Sequence, residues 1–153
     1  MHLSRNFALS ELVKSQTAIR NSIDNTPNTE QIVALTALCH TILQPCRDKY
    51  GLFTPNSTFR TVELCELLGS SPNSQHALGE ASDIEMPGVD NYEFAEWIIE
   101  NLEFDQLILE FYKKGEPNSG WVHVSYAKDR EQRKEIRHSV YDNSKIKYPE
   151  GLV

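Results

Sequence analysis

Ser74-Gln75-His76-Ala77-Leu78-Gly79-Glu80-Ala81-Ser82-Asp83, answered later by Gly120-Trp121-Val122-His123-Val124-Ser125, is the part of the chain on which the fold turns. In the first segment a polar loop runs into His76, and Gly79 lets the backbone double back so that Asp83 returns toward the same point. Ala81, Asp83 and Glu85 alternate with Ser82, Ile84 and Met86, the period of a strand, and Pro87-Gly88 stops it. In the second segment His123 stands between two valines in a β-prone run. A carboxylate or imidazole inside such a strand is costly unless it has a partner.

Working outward from His123, the runs 106–112 and 121–126, joined by the Lys113–Gly120 loop with its Gly115, Pro117, Asn118 and Ser119, read as a β-hairpin. If Tyr112 pairs with Trp121, Glu110 falls opposite His123, with Cβ atoms roughly 4.5–5.5 Å apart. Glu110 is otherwise an odd residue among Leu107, Ile108, Leu109 and Phe111. Such a glutamate is either ion-paired or kept for chemistry.

Two imidazoles and one carboxylate, His76, Asp83 and His123, form the ligand set of a catalytic zinc ion whose fourth position is left to water. The competing reading is plainer: a lone buried histidine is more often hydrogen-bonded than metal-bound. With zinc present, bound water would ionise near pH 7, roughly, and Glu110 would carry its proton to a leaving amine. Arg60, at the end of Thr58-Phe59-Arg60, reads equally as a salt-bridged surface residue or as a fork-shaped clamp on a substrate carboxylate or carbonyl.

The remaining elements follow from periodicity and punctuation. Residues 7–13 read as a short helix that Ser10 can cap, with Leu12 and Val13 inward. Thr29-Glu30 opens a longer helix with Ile32, Leu35, Leu38, Ile42 and Leu43 at helical spacing, kinked or ended by Pro45. Residues 52–60 carry strand formers broken by Pro55-Asn56, 62–68 reads as helical, and 91–101 as an amphipathic helix. The charged segment from Lys128 reads as a solvated helix followed by an extended end. This order suggests one α+β domain over 1–153, a small antiparallel sheet flanked by helices. Its core lies at about 3–126, and 127–153 forms a charged C-terminal extension.

Composition narrows the function. At 153 residues the chain is about one domain, and its 39% apolar and 24% charged residues are those of an ordinary globular protein. A formal charge of −7 argues against nucleic acid as a partner, and no apolar run reaches membrane-spanning length. Cys39, Cys46 and Cys65 cannot all pair and read as free thiols of a reducing compartment. The N-terminus lacks a signal-peptide core, so synthesis and retention in the cytoplasm are expected unless something else releases the protein.

Ser74-x-His76-x-x-Gly79-x-Ala81-x-Asp83 followed by Trp121-x-His123 resembles the zinc D-Ala-D-Ala carboxypeptidase family. That family includes phage murein endopeptidases and shares its fold with the hedgehog signalling domain. Phe7-x-Leu9-x-Glu11-Leu12-x-x-Ser15, Asp24-Asn25-x-Pro27, Leu43-Gln44-Pro45-x-Arg47 and Phe59-Arg60 are similar to the N-terminal pattern of its phage branch. The resemblance implies a hedgehog/DD-peptidase-like fold, zinc on His76, Asp83 and His123, and substrate contacts from Arg60, Ser74 and Trp121. It also implies a peptidoglycan stem peptide as substrate, and a phage lysin that reaches the cell wall through a holin. Many members carry the catalytic acid three positions before the second histidine. Gly120 stands there in this chain, and Glu110 resembles the glutamate that the phage branch keeps on the preceding strand. Thr61-Val62-Glu63 lacks the proline and asparagine the family carries after its arginine. A non-catalytic zinc module that binds peptidoglycan, or a phage structural protein, is the alternative.

Overall fold

A computed structural model describes residues 1–153. The chain opens with β1 (His2–Ser4), which pairs antiparallel with β2 (Phe7–Ala8), and α1 (Leu9–Leu12) follows at once. The expected helix over 7–13 therefore starts later, and Ser10 is not its cap. Ala8 holds that position, and its N–H donates to the Glu11 carboxylate at 3.0 Å. Phe7 is drawn into the strand because its ring is buried and packs 5.5 Å from Phe53. Next comes α2 (Gln16–Arg20), capped by Ser15.

Asn28 and Gln31 cap α3 (Thr29–Leu38) reciprocally, each side chain accepting from the other's backbone N–H. Helical backbone runs on past Pro45, although the regular α-helix stops at Leu38. A π turn at Cys39–Leu43 widens the backbone first, and α4 (Gln44–Tyr50) continues with Pro45 in its first turn, where the missing N–H costs little. The apolar stripe read from the sequence is the buried one: Leu35, Leu38, Ile42 and Leu43 are fully enclosed.

Residues 52–60 form no strand of their own. With Pro55 interrupting it, the segment makes a single bridge, Ser57 to Asp83, before α5 (Val62–Leu67). A short 3-10 turn at Gln75–Leu78 then leads through Gly79 into β3 (Ala81–Ile84), all of it buried. Gly79 has φ +77°, and a Cβ there would lie 2.7 Å from the Gln31 carbonyl, so the turn can be this tight against α3 only with glycine.

Asp90 caps α6 (Asn91–Asn101), which packs on β4 (Gln106–Glu110) and β5 (Trp121–Ser125). The C-terminal segment is not a solvated helix. It contributes β6 (Glu135–His138) and a hairpin of β7 (Val140–Asp142) with β8 (Lys145–Lys147). The main sheet runs β3-β5-β4-β6, antiparallel except for the parallel pair β4–β6. Ile84, Val122, Val124, Leu107 and Leu109 turn one face toward the helices and the core. Asp83, His123, Ile108 and Glu110 lie on the other.

The β4–β5 register differs from the expected one by two residues. Glu110 pairs with Trp121, and Ile108 faces His123. Phe111 takes φ +51° and donates its N–H to the Ser139 hydroxyl, while Gly120 takes φ +65°. A Cβ on Gly120 would stand 1.8 Å from the Glu110 carbonyl oxygen. The chain leaves the ladder at this crossing, so Tyr112 never reaches Trp121. A two-residue slip preserves faces, and Glu110 remains the diagonal neighbour of His123, roughly 7 Å away at Cβ.

All three cysteines are buried free thiols, and burial, reinforced by Glu11, pushes Cys39 up to about 12. No helix is long and apolar enough to cross a membrane.

Asp105, 1% exposed, anchors the C-terminal segment. Arg130 reaches it through two nitrogens at 2.6 and 2.7 Å, and Arg133 adds Nη2 at 2.8 Å. Burial opposes the charge, but these arginines hold the carboxyl well below the usual range. Its stabilisation is therefore present above about pH 4 and lost as pH falls through the depressed folded value. Both guanidiniums are about half exposed. Asp105→Ala should therefore cost about 2 kcal/mol in urea unfolding at pH 7, less than a fully buried pair, with a smaller penalty at pH 3.

Candidate metal centre

Three elements deliver the site. The 3-10 turn carries His76 and is capped by the Ser74 hydroxyl, which accepts from His76 N–H at 3.2 Å. Strand β3 carries Asp83, and β5 places His123 directly opposite it. His76, Asp83 and His123 are each no more than 9% exposed, and one ligand atom from each falls within 4.8 Å of the other two.

Hydrogen bonds on the outer ring nitrogens fix which atoms point inward. His76 donates from Nδ1 to the Thr58 carbonyl at 2.6 Å, which leaves Nε2 facing Asp83 Oδ1 at 3.3 Å. His123 donates from Nε2 to Gln75 Oε1 at 2.7 Å, which leaves Nδ1 facing the same oxygen at 3.0 Å. In their neutral forms, two imidazole lone pairs and a carboxylate oxygen thus meet with no donor between them. That arrangement calls for a cation. Ligands bound to zinc at about 2.0–2.1 Å in a tetrahedron stand about 3.3–3.4 Å apart, close to the spacings found here. The residues present fit the metal, and Gln75 and the Thr58 carbonyl act as the outer partners that orient metal-binding imidazoles.

The other carboxylate oxygen is already committed. Arg60 donates from Nη2 to Asp83 Oδ2 at 3.1 Å and from Nε to the Ser57 hydroxyl at 2.7 Å. Burial works against an ionised Asp83; without the metal, hydrogen bonds and positive charge from His123 and His76 hold it well below the usual carboxylate range, the part a cation plays between the neutral rings.

These groups open into a groove of about 820 Å³. Arg60, Ser74, Glu110 and Trp121, all singled out in the sequence, line it, and so do Arg130, Arg133 and Tyr148 from the C-terminal segment. Glu110 is 9% exposed. Burial pushes its carboxyl up, and the nearby Asp83 charge adds to this against the opposing influence of the Ser139 hydroxyl and His123. Arg60 lies on Asp83, with no bond from Nη1 to the chain and that nitrogen open to solvent. Gln75, Thr58 and Ser139 escaped the sequence reading. Thr58 acts through its carbonyl, which leaves no side-chain signature, and for Gln75 the only sign is its place directly before His76.

A buried His-Asp-His cluster at a sheet edge, with a buried glutamate on the same face, is the arrangement a metal-dependent hydrolase uses. The sequence profile of the Peptidase M15 family matches residues 5–125, and the chain belongs to that family. It is a metallopeptidase with zinc as its cofactor. Comparison with curated proteins returns no match.

Gln75→Leu should leave the fold intact and weaken zinc binding about 10- to 100-fold, because His123 loses the acceptor that sets its tautomer. Competition against a chromogenic chelator measures this directly. An unchanged affinity would mean that Gln75 does not orient the ligand.

Proposed function

We propose that the protein hydrolyses an amide bond in peptidoglycan stem peptides, on the hedgehog/DD-peptidase-like scaffold that its motifs resemble. The observation that carries the reading is the convergence of His76, Asp83 and His123 beside Glu110 on one sheet face. The family membership supports a peptidase, and the phage-branch motifs favour a cell-wall substrate. Both a terminal D-Ala-D-Ala bond and an internal stem-peptide bond suit this site. In the phage setting that the motifs imply, the protein is made in the cytoplasm and reaches the wall through a holin.

Zinc, when bound by His76, Asp83 and His123, supplies an acidified water and a Lewis acid for the scissile carbonyl. Glu110 takes the proton of the attacking water and returns it to the leaving amine, and its raised pKa suits both transfers. Arg60 keeps Asp83 turned toward the histidines, and its free Nη1 is available to a substrate carbonyl or carboxylate. Trp121, half-buried against Phe111, gives the groove an apolar wall, while Ser74 holds the turn that presents His76.

The buried glutamate on the site face favours an enzyme over a zinc-stabilised binding module, which has no use for a base there. Glu110→Gln should retain zinc and fold while losing at least about 100-fold in kcat. His123→Ala should lose the metal as well. The deciding assay incubates the zinc-loaded protein with purified peptidoglycan and synthetic stem peptides, with a chelated control, and reads products by mass spectrometry. Chelator-sensitive release of one defined fragment supports the reading and names the bond. Intact substrate with a folded, zinc-loaded protein would refute it.

A further inference from the structure

Beyond the metal centre, a row of aromatic rings runs outward from the wall of the groove and lies outside the hydrophobic core. Trp121 lies two residues from His123 on β5, its ring 5.6 Å from that of Phe111. Phe111 in turn stacks on Tyr141 of the β7–β8 hairpin at 5.1 Å and 29°. Phe111 reaches this place only by adopting φ +51°, a conformation that costs a non-glycine residue and is kept where the surroundings enforce it. Tyr141 is 70% exposed, and every residue of its hairpin is solvent-facing. The ring therefore gains little from burial.

The three rings border a second groove of about 630 Å³, a size ordinary for a ligand site. Phe111 and Trp121 line both grooves, so the two adjoin at these rings. Glu85, Lys113 and Asn118 give it a polar rim. Flat rings, two half-buried and one exposed, with hydrogen-bonding groups at their edge suit a flat ligand that is apolar on its face and hydroxylated on its rim. A pyranose ring has that form. Tyr141 lies beyond residues 5–125, so the outer ring of this ledge comes from the C-terminal segment.

We infer that Trp121, Phe111 and Tyr141 form a saccharide subsite, which seats a sugar ring of the glycan strand while the attached peptide enters the metal centre. The inference rests on the peptidoglycan reading above. It concerns a part of the substrate that the metal centre does not touch.

The test uses the full-length, zinc-loaded protein on a matched pair of substrates, a free stem peptide and the same peptide carrying its disaccharide. Wild type should favour the disaccharide form about tenfold in kcat/KM, through KM, the size of effect one well-placed aromatic contact provides. Tyr141→Ala should abolish that preference and leave the free peptide's kcat and KM unchanged, whereas Tyr141→Phe should keep it. Equal use of both substrates by wild type would overturn the inference while leaving the peptidoglycan reading intact. So would a preference that survives Tyr141→Ala. Cleavage of neither substrate would overturn both.

Discussion

The pairing of Asp83 with His123 across β3 and β5 is the constraint on which the rest depends. A slip of one residue would turn one of the two toward the helices and dissolve the site. Two sets of contacts prevent it. On the core face, Ile84 against Val122 and Ser82 against Val124 are wholly buried, so any slip would expose apolar side chains and bury charge. On the free edge of β3, Asp83 N–H donates to the Ser57 carbonyl and its own carbonyl accepts from Asn56 N–H, both at 2.8 Å. The backbone of Asp83 is thus held from both sides, and the direction of its carboxylate follows.

A buried carboxylate is expensive, and this one is tolerated because its two oxygens have separate tasks. Oδ2 rests on Arg60, a permanent cation that is itself fixed by the Ser57 hydroxyl. Oδ1 is shared by the two histidines. With Oδ2 occupied, Asp83 can offer a metal only one oxygen, which suits three protein ligands and a vacant fourth position. Arg60 thereby makes the ligand geometry as well as balancing the charge; the salt-bridge reading accounts for its Nη2 and Nε, and the proposed clamp would use the remaining Nη1.

How much of this was legible in the sequence depended on whether a feature was local. The spacing of His76, Gly79 and Asp83 is a local pattern, and so are the valines flanking His123 and the stripe of Leu35, Leu38, Ile42 and Leu43. Each appears in the structure where periodicity placed it. The β4–β5 register was misjudged because it turns on the crossing of Phe111 and Gly120, where two positive φ angles remove Tyr112 from the ladder. No alternation of residues announces that. The π turn before Pro45 was hidden for a similar reason, since a proline signals a break without saying how the backbone avoids one. The C-terminal segment misled most. Its charges suggested solvent, yet two of its arginines are spent on Asp105, about 25 residues earlier, and a partner that distant is invisible to composition.

That last error has a mechanistic side. Without β6, strand β4 would be an open edge with unpaired backbone groups, and Asp105 at its start would be a buried charge without counter-ions. Glu110 ends that same strand. Its place is set by Ser139, which follows β6 directly, accepts the Phe111 N–H and donates its own N–H to the Leu109 carbonyl, so the backbone is pinned on both sides of the glutamate. The metal ligands all lie within residues 5–125, but the rigidity of the proposed base is supplied from beyond them. The segment that looked like an appendage therefore decides how firmly Glu110 is held on the site face, and a base of the kind proposed, which must accept and return one proton within a single turnover, would depend on that firmness.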